Sequence, residues 1–142
     1  MKQPLFRRLA AGLSACLLAA AMGCSPAEST LEPDAALAGR ITEAAGQAEC
    51  SLDGVLEDWD TVLIDNAYHL PSALEEQGMA NHGAIKDLPQ QDGTLAVVFL
   101  RDGAAVAYAL VGQSDAPALA GYQNQLTGEA YPYGTAFTQP AL

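Results

Sequence analysis

Positive charge almost vanishes from this chain after its first few residues. Of the 142 residues only six are Lys or Arg, against 17 Asp or Glu, and beyond Arg8 the basic residues are Arg40, Lys86 and Arg101 alone. A surface so poor in cations has no electrostatic footprint for a phosphate backbone, which excludes nucleic acid as a partner. Histidine is nearly as scarce. His69 and His82 stand thirteen positions apart, whereas zinc sites gather three or four His, Cys or carboxylate ligands at short spacings. The three cysteines, Cys16, Cys24 and Cys50, build no disulfide framework. There is no Gly-x-Ser-x-Gly elbow, P-loop, dinucleotide glycine fingerprint or Cys-x-x-Cys. The longest apolar run, Leu9 to Met22, falls short of the roughly 20 residues of a comfortable membrane span.

That run lies between Lys2, Arg7 and Arg8 on one side and Ala-Ala-Met-Gly-Cys on the other, and no acidic residue occurs before Glu28. A basic n-region, a short h-region and small residues before a cysteine resemble the bacterial lipoprotein signal with its lipobox. The resemblance implies cleavage between Gly23 and Cys24, a diacylglycerol thioether on Cys24 and an acylated (palmitate-type) new N-terminus. Ala21 stands where Leu is commonest. Leu13-Ser14-Ala15-Cys16 matches the consensus letters more closely, but it leaves only Leu9 to Gly12 as hydrophobic core. Two or three acyl chains hold a protein stably on a bilayer where one does not. Ser25 follows the cysteine, and Asp at that place resembles an inner-membrane retention signal. The expected location is therefore the cell envelope, on the outer membrane facing the periplasm if the cell has two membranes.

The expected organisation is a removed signal at 1–23, a lipidated tether at 24–34 containing Pro26 and Pro33, and one small domain at 35–142. With the signal gone, three basic residues against 17 acidic ones leave a formal charge of −14, which favours solubility or a basic partner. Cys50 then has no intrachain partner, so it is either buried as a small hydrophobe or available for an intermolecular disulfide.

Within the domain, Leu37, Ile41, Ala44 and Ala48 recur at helical spacing, predicting a helix over about Ala35 to Gln47 interrupted by Gly39 and Gly46. Trp59 to Ile64 has the β-branched, apolar character of a strand. Pro71 to Gly78 predicts a short helix, begun either by a Ser72–Glu75 capping box or by Leu70 as cap with Pro71 at the first helical position. Asp102-Gly103 between Leu95–Arg101 and Ala104–Val111 is the strongest hairpin signal, since a type I′ turn needs positive φ at both centres. A two-residue loop with regular pairing sets Phe99 opposite Val106, Val97 opposite Tyr108 and Leu95 opposite Leu110. Both faces of this hairpin are apolar, so both are expected to be at least partly covered. Beyond Gly112 the chain is loop-like, with Thr135 to Thr138 able to add one edge strand. The expected class is α+β, a small antiparallel sheet of three to four strands with one or two helices.

In order and spacing these pieces resemble a widespread group of small bacterial lipoproteins and secreted proteins of uncharacterised activity. The residues that carry the resemblance are Trp59-Asp60-x-Val62-x-Ile64, Tyr68 nine positions on, the short acidic helix, and Val98-Phe99-Leu100-Arg101-Asp102-Gly103. It covers roughly Cys50 to Val111. The group's pattern is a Trp-Asp-Lys-Val strand, a Pro-Tyr-Thr turn into a helix, and a Val-Phe-Val-Lys-Asp-Gly-Lys hairpin. Thr61, Ala67, His69 and Glu57 depart from it, chiefly in the local turns. The resemblance implies a compact α+β domain tethered to an envelope membrane and implies no activity.

Trp59 and Tyr68 read as core and turn anchors, with Asp102 and Gly103 as the hairpin turn. Asp60 reads as a turn cap or solvent-facing carboxylate. Glu57, Asp58, Asp60 and Asp65 form an acidic run, but Val62, Leu63 and Ile64 occupy places that calcium ligands would need. His69 and His82 read as exposed turn residues; with Cys50 they are the conceivable but motif-less zinc set. No catalytic residue, cofactor or metal is expected. The functional expectation is a non-catalytic envelope module, monomeric in its domain, held to the membrane through Cys24 and facing an envelope protein partner. The alternatives are a small hydrolase-type or metal-dependent enzyme using Asp60, His69 or His82, and a structural envelope component.

Overall fold

A computed structural model describes residues 31–85, 88 and 92–139. The signal at 1–23, the proposed lipid site Cys24, its rival Cys16, and the tether up to residue 30 lie outside the described residues. The last part of the expected tether does not behave as one. Leu31 N donates to Ala84 O at 2.8 Å and Asp34 N to Tyr108 O at 2.9 Å, so the chain is fastened to the domain from Leu31 onward.

Helix α1 spans Ala35–Ala45. Asp34 caps it, its carboxylate accepting from Leu37 N at 3.0 Å, which satisfies one of the donors a helix start leaves open. Leu37, Ile41 and Ala45 are buried at four-residue intervals. The helix runs through Gly39 and stops at Gly46, two residues short of expectation.

The main sheet is antiparallel, in the order β4-β3-β2-β5, built from β2 (Thr61–Asn66), β3 (Thr94–Arg101), β4 (Ala104–Gly112) and the short β5 (Tyr131–Pro132). A separate two-stranded sheet pairs β1 (Glu49–Ser51) with β6 (Ala136–Thr138), placing Cys50 opposite Phe137. The expected edge strand at Thr135 to Thr138 therefore forms, but against β1, while Tyr131 and Pro132 supply the main sheet's edge. Helix α2 spans Leu70–Glu76 and α3 is the single turn Asn124–Thr127.

The β3–β4 turn is the expected one, with Asp102 at φ 52° and Gly103 at φ 80°. The register beyond it is not. Leu100 faces Ala105, but Phe99 faces Ala107, so Val106 is an extra residue, a β-bulge that shifts every later pair by one. The consequence is a different sorting of side chains. Leu95, Val97 and Phe99 share a face with Ala107, Ala109 and Val111, packed with α1, Trp59, Val62, Ile64 and Phe137. Ala96, Val98 and Leu100 share the other with Leu110, Tyr108 and Ala105, covered by Leu70 and Leu74 of α2 and by Met79. Large residues of one strand meet small ones of its neighbour, which fills space better than the expected large-with-large face. Both faces are covered. Val106 is left largely exposed.

The open edge of β4 is closed in two places. Asn81 donates to Ala105 O at 2.9 Å and accepts from Ala105 N at 2.7 Å, and Pro33 bridges Tyr108. Blunting an edge this way removes a template for stray pairing.

Strand β2 begins at Thr61 and extends to Asn66, two residues past the expected end at Ile64. Trp59 precedes it, buried, with its ring edge-on to Phe99 at 5.0 Å and tilted against Tyr133 at 4.9 Å. Helix α2 starts with His69 as N-cap and no side-chain capping bond, with Leu70 first and Pro71 second, so neither expected start applies. Its end is as the sequence implies: Gly78 has φ +69° and its N–H reaches Glu75 O at 2.9 Å.

Candidate functional site

The antiparallel order brings one end of β2, β3 and β4 together. Asn66 at the end of β2 pairs with Leu95, and Thr94 at the start of β3 pairs with Gly112. Around this end lies an open pocket of about 490 Å³ lined by Asn66, Tyr68, His69, Asp92, Gly93, Thr94, Gln113, Gln123 and Gln125. Gln113 N donates to Gly93 O at 2.6 Å, closing the β3–β4 pair just beside it. Gln123 follows the 3₁₀ segment Pro117–Tyr122, and Gln125 lies in α3.

Behind the pocket stands Asp65, with no exposed side-chain surface. A buried carboxylate has to be hydrogen-bonded to be tolerable. Its Oδ1 accepts from Asn66 N at 2.9 Å and from Gln125 N at 3.4 Å, and its Oδ2 contacts His69 Nδ1. Asn66 completes the frame, accepting from His69 N at 2.9 Å and donating to Gln125 Oε1. The end of β2, the start of α2 and α3 are thereby tied by one carboxylate and one carboxamide.

This frame fixes the imidazole. A carboxylate only accepts, so Nδ1 carries the proton facing Asp65, and in neutral His69 the acceptor is Nε2. The side chain is 28% exposed. His69 was expected to be an ordinary exposed turn residue; it is instead half-buried and oriented. Among the described residues no serine or threonine hydroxyl and no cysteine thiol hydrogen-bonds it.

Tyr68 sits on the turn between β2 and α2 and is 56% exposed, while Ala67 takes the buried place beside the strand end. Burial, then the negative Asp92 that accepts its hydrogen bond, raises the Tyr68 hydroxyl above its usual value, so it remains a neutral donor to Asp92.

The other expected residues collect at the opposite end of the sheet. Asp60 accepts from Asp102 N and from Thr61 Oγ1, each at 2.9 Å. These bonds, the backbone one foremost, hold the Asp60 carboxyl below its usual range. Asp60 thus clamps the Asp102-Gly103 turn, while its neighbour Trp59 packs on Phe99 and Tyr133. Cys50 lies buried in the small sheet, its thiol pushed up by desolvation. His82 opens the 3₁₀ turn His82–Ala84. Among the described residues no three His, Cys, Asp or Glu side chains are grouped to hold a metal ion, and no helix is long and apolar enough to cross a membrane.

The sequence marks Asp65 only as part of an acidic run and gives no mark to Asn66 or the three glutamines. The available signal was local: an Asp-Asn pair closing an apolar strand, with His four residues after the Asp. Gln113, just past β4, and Gln123 and Gln125, ten or more residues on, become neighbours of the β2 end only through the fold. The chain matches no known family model, no curated protein and no solved structure.

Proposed function

We propose that this chain is a lipid-anchored envelope protein, held by Cys24 once residues 1–23 are removed, that acts without catalysis as a binding or accessory module. The pocket beside His69 is its recognition site. The observation that carries this reading is the Asp65–His69–Asn66 frame: a fully buried carboxylate spent on orienting one half-exposed imidazole at a polar opening. Sites that recognise ligands combine a concave surface with a few polar groups held in place by a second set of bonds. The lipobox-like run ending in Gly23-Cys24 and the resemblance to small envelope lipoproteins support the location.

The same frame favours one other reading, a hydrolase in which His69 acts as general base on a water molecule, with Asp65 orienting it as the third member of a triad does. One experiment separates the two. The lipidated chain is incubated with a bacterial envelope fraction, and the molecules retained are compared by mass with the input. A module returns its ligand chemically unchanged. Release of a cleaved product that disappears in His69→Gln establishes the hydrolase instead.

A further inference from the structure

We propose that the pocket at the end of β2 takes a neutral, hydroxyl-rich ligand, a sugar unit. This rests on reading that pocket as a binding site. Once the internal bonds are assigned, its wall is a mixture of unspent donors and acceptors. Gln113 keeps its whole carboxamide, and Thr94 its hydroxyl, without a partner among the described residues. Gln125 accepts from Asn66 through Oε1, leaving Nε2 as a donor. Gln123 donates through Nε2 to Ala120 O at 2.9 Å, leaving Oε1 as an acceptor. His69 adds Nε2, an acceptor in the neutral ring and a donor in the protonated one, because Nδ1 faces Asp65.

Each ligand charge class fails some of these groups. An ammonium only donates, so it leaves the Nε2 donors of Gln113 and Gln125 unsatisfied. A phosphate or carboxylate only accepts; it leaves Gln123 Oε1 unmatched, faces Asp92, and meets no Lys or Arg among the described residues of the lining. Burying unmatched polar groups is costly. A hydroxyl donates and accepts at once, so adjacent hydroxyls on a ring satisfy such a wall together. Tyr68, about half exposed, lines the same pocket with an aromatic side chain, the type that packs on a ligand's C–H groups. The volume, about 490 Å³, lies in the range of small-molecule sites, about 300–1,000 Å³.

The test uses the full lipidated chain in detergent, titrated by calorimetry with N-acetylglucosamine, chitotetraose, glucose 6-phosphate, trilysine and N-acetyl-trialanine amide. Saturable binding of at least one of the two neutral sugars, and of neither charged probe, is expected. A tetramer binding more tightly than the monomer assigns the site to a polymeric glycan; equal affinity assigns it to a free sugar. Gln113→Ala and Gln125→Ala should each weaken binding roughly 3–10-fold, as loss of one neutral hydrogen bond does. Gln113 has no side-chain bond within the described fold, so its variant reports on the ligand alone. If the phosphate, trilysine or the peptide binds best and Gln113→Ala weakens it, the pocket is a binding site but the sugar assignment falls. If no probe binds, or if sugar binding is unchanged by both variants, the inference is overturned. The retention experiment above then decides the wider reading separately.

Discussion

Asp65 has no exposed side-chain surface and is hydrogen-bonded by three residues, Asn66, His69 and Gln125, so substitutions there separate its structural part from its orienting part. Asp65→Ala leaves two backbone donors and the imidazole without their acceptor. Because His69 can turn to water, the expected loss is that of one or two unsatisfied groups, about 2 kcal/mol, read as a lowered urea midpoint. Asp65→Asn, with its amide nitrogen toward His69, should be milder in stability yet reverse the imidazole, making Nδ1 the acceptor and Nε2 the proton carrier. Imidazole ¹⁵N shifts distinguish the two tautomers, and an unchanged pattern in Asp65→Asn would mean that Asp65 does not orient the ring. Asp60 makes the opposite kind of test, since it is exposed and acts through the hairpin. Its bonds from Asp102 N and Thr61 Oγ1 favour the charged form and place its folded pKa below the unfolded value of about 3.9. The stability it contributes is therefore present above about pH 4 and is lost as pH falls through the lower folded value. Asp60→Asn should flatten the acid limb of a melting-temperature profile below about pH 4 and leave its neutral region parallel to the wild type.

At the scale of elements, local chemistry was legible where it is set by neighbours in sequence. The Asp102-Gly103 turn, the buried stripe of α1, and the stop at Gly78 all follow from turn and periodicity rules. The register of β4 was not legible, because nothing in the Ala-Val-Ala run around Val106 marks one residue as extra. The bulge is settled by packing on both faces and by Asn81, which fixes Ala105 from outside the sheet. The pocket was hidden for the same reason: three of its glutamines belong to segments that no motif connects. The turn itself allows a clean test. A Cβ on Gly103 would meet nothing within 4 Å, so the cost of replacing it is conformational rather than steric crowding by neighbours. Gly103→Val should lower stability by roughly 1 kcal/mol or more, because a β-branched residue resists positive φ. Gly103→Asn, which tolerates the left-handed region, should cost distinctly less. Equal losses in the two thermal melts would show that the positive φ is not what the position demands.

For the whole molecule, the proposed anchor on Cys24 and the domain would set each other's reach. The described chain is fastened from Leu31, through Ala84, and again at Tyr108. Between Cys24 and Leu31 the backbone can extend at most about 25 Å, given about 3.5 Å per residue. A lipid on Cys24 would thus hold an acidic domain close to the bilayer surface, where anionic headgroups repel it and keep it from lying flat. Its accessible partners would be those within that layer of the envelope. Cys24→Ala should abolish incorporation of labelled palmitate and release the protein from the membrane fraction or leave the precursor at full length. Labelling that persists would move the lipid to Cys16, with eight more residues of chain and a correspondingly wider reach. Ser25→Asp tests the address. In a cell with two membranes it should shift the protein from the outer-membrane to the inner-membrane fraction, with a melting temperature equal to that of the wild type. Wild-type protein recovered from the inner membrane would contradict the outer-membrane assignment and place the pocket's ligand on the other side of the periplasm.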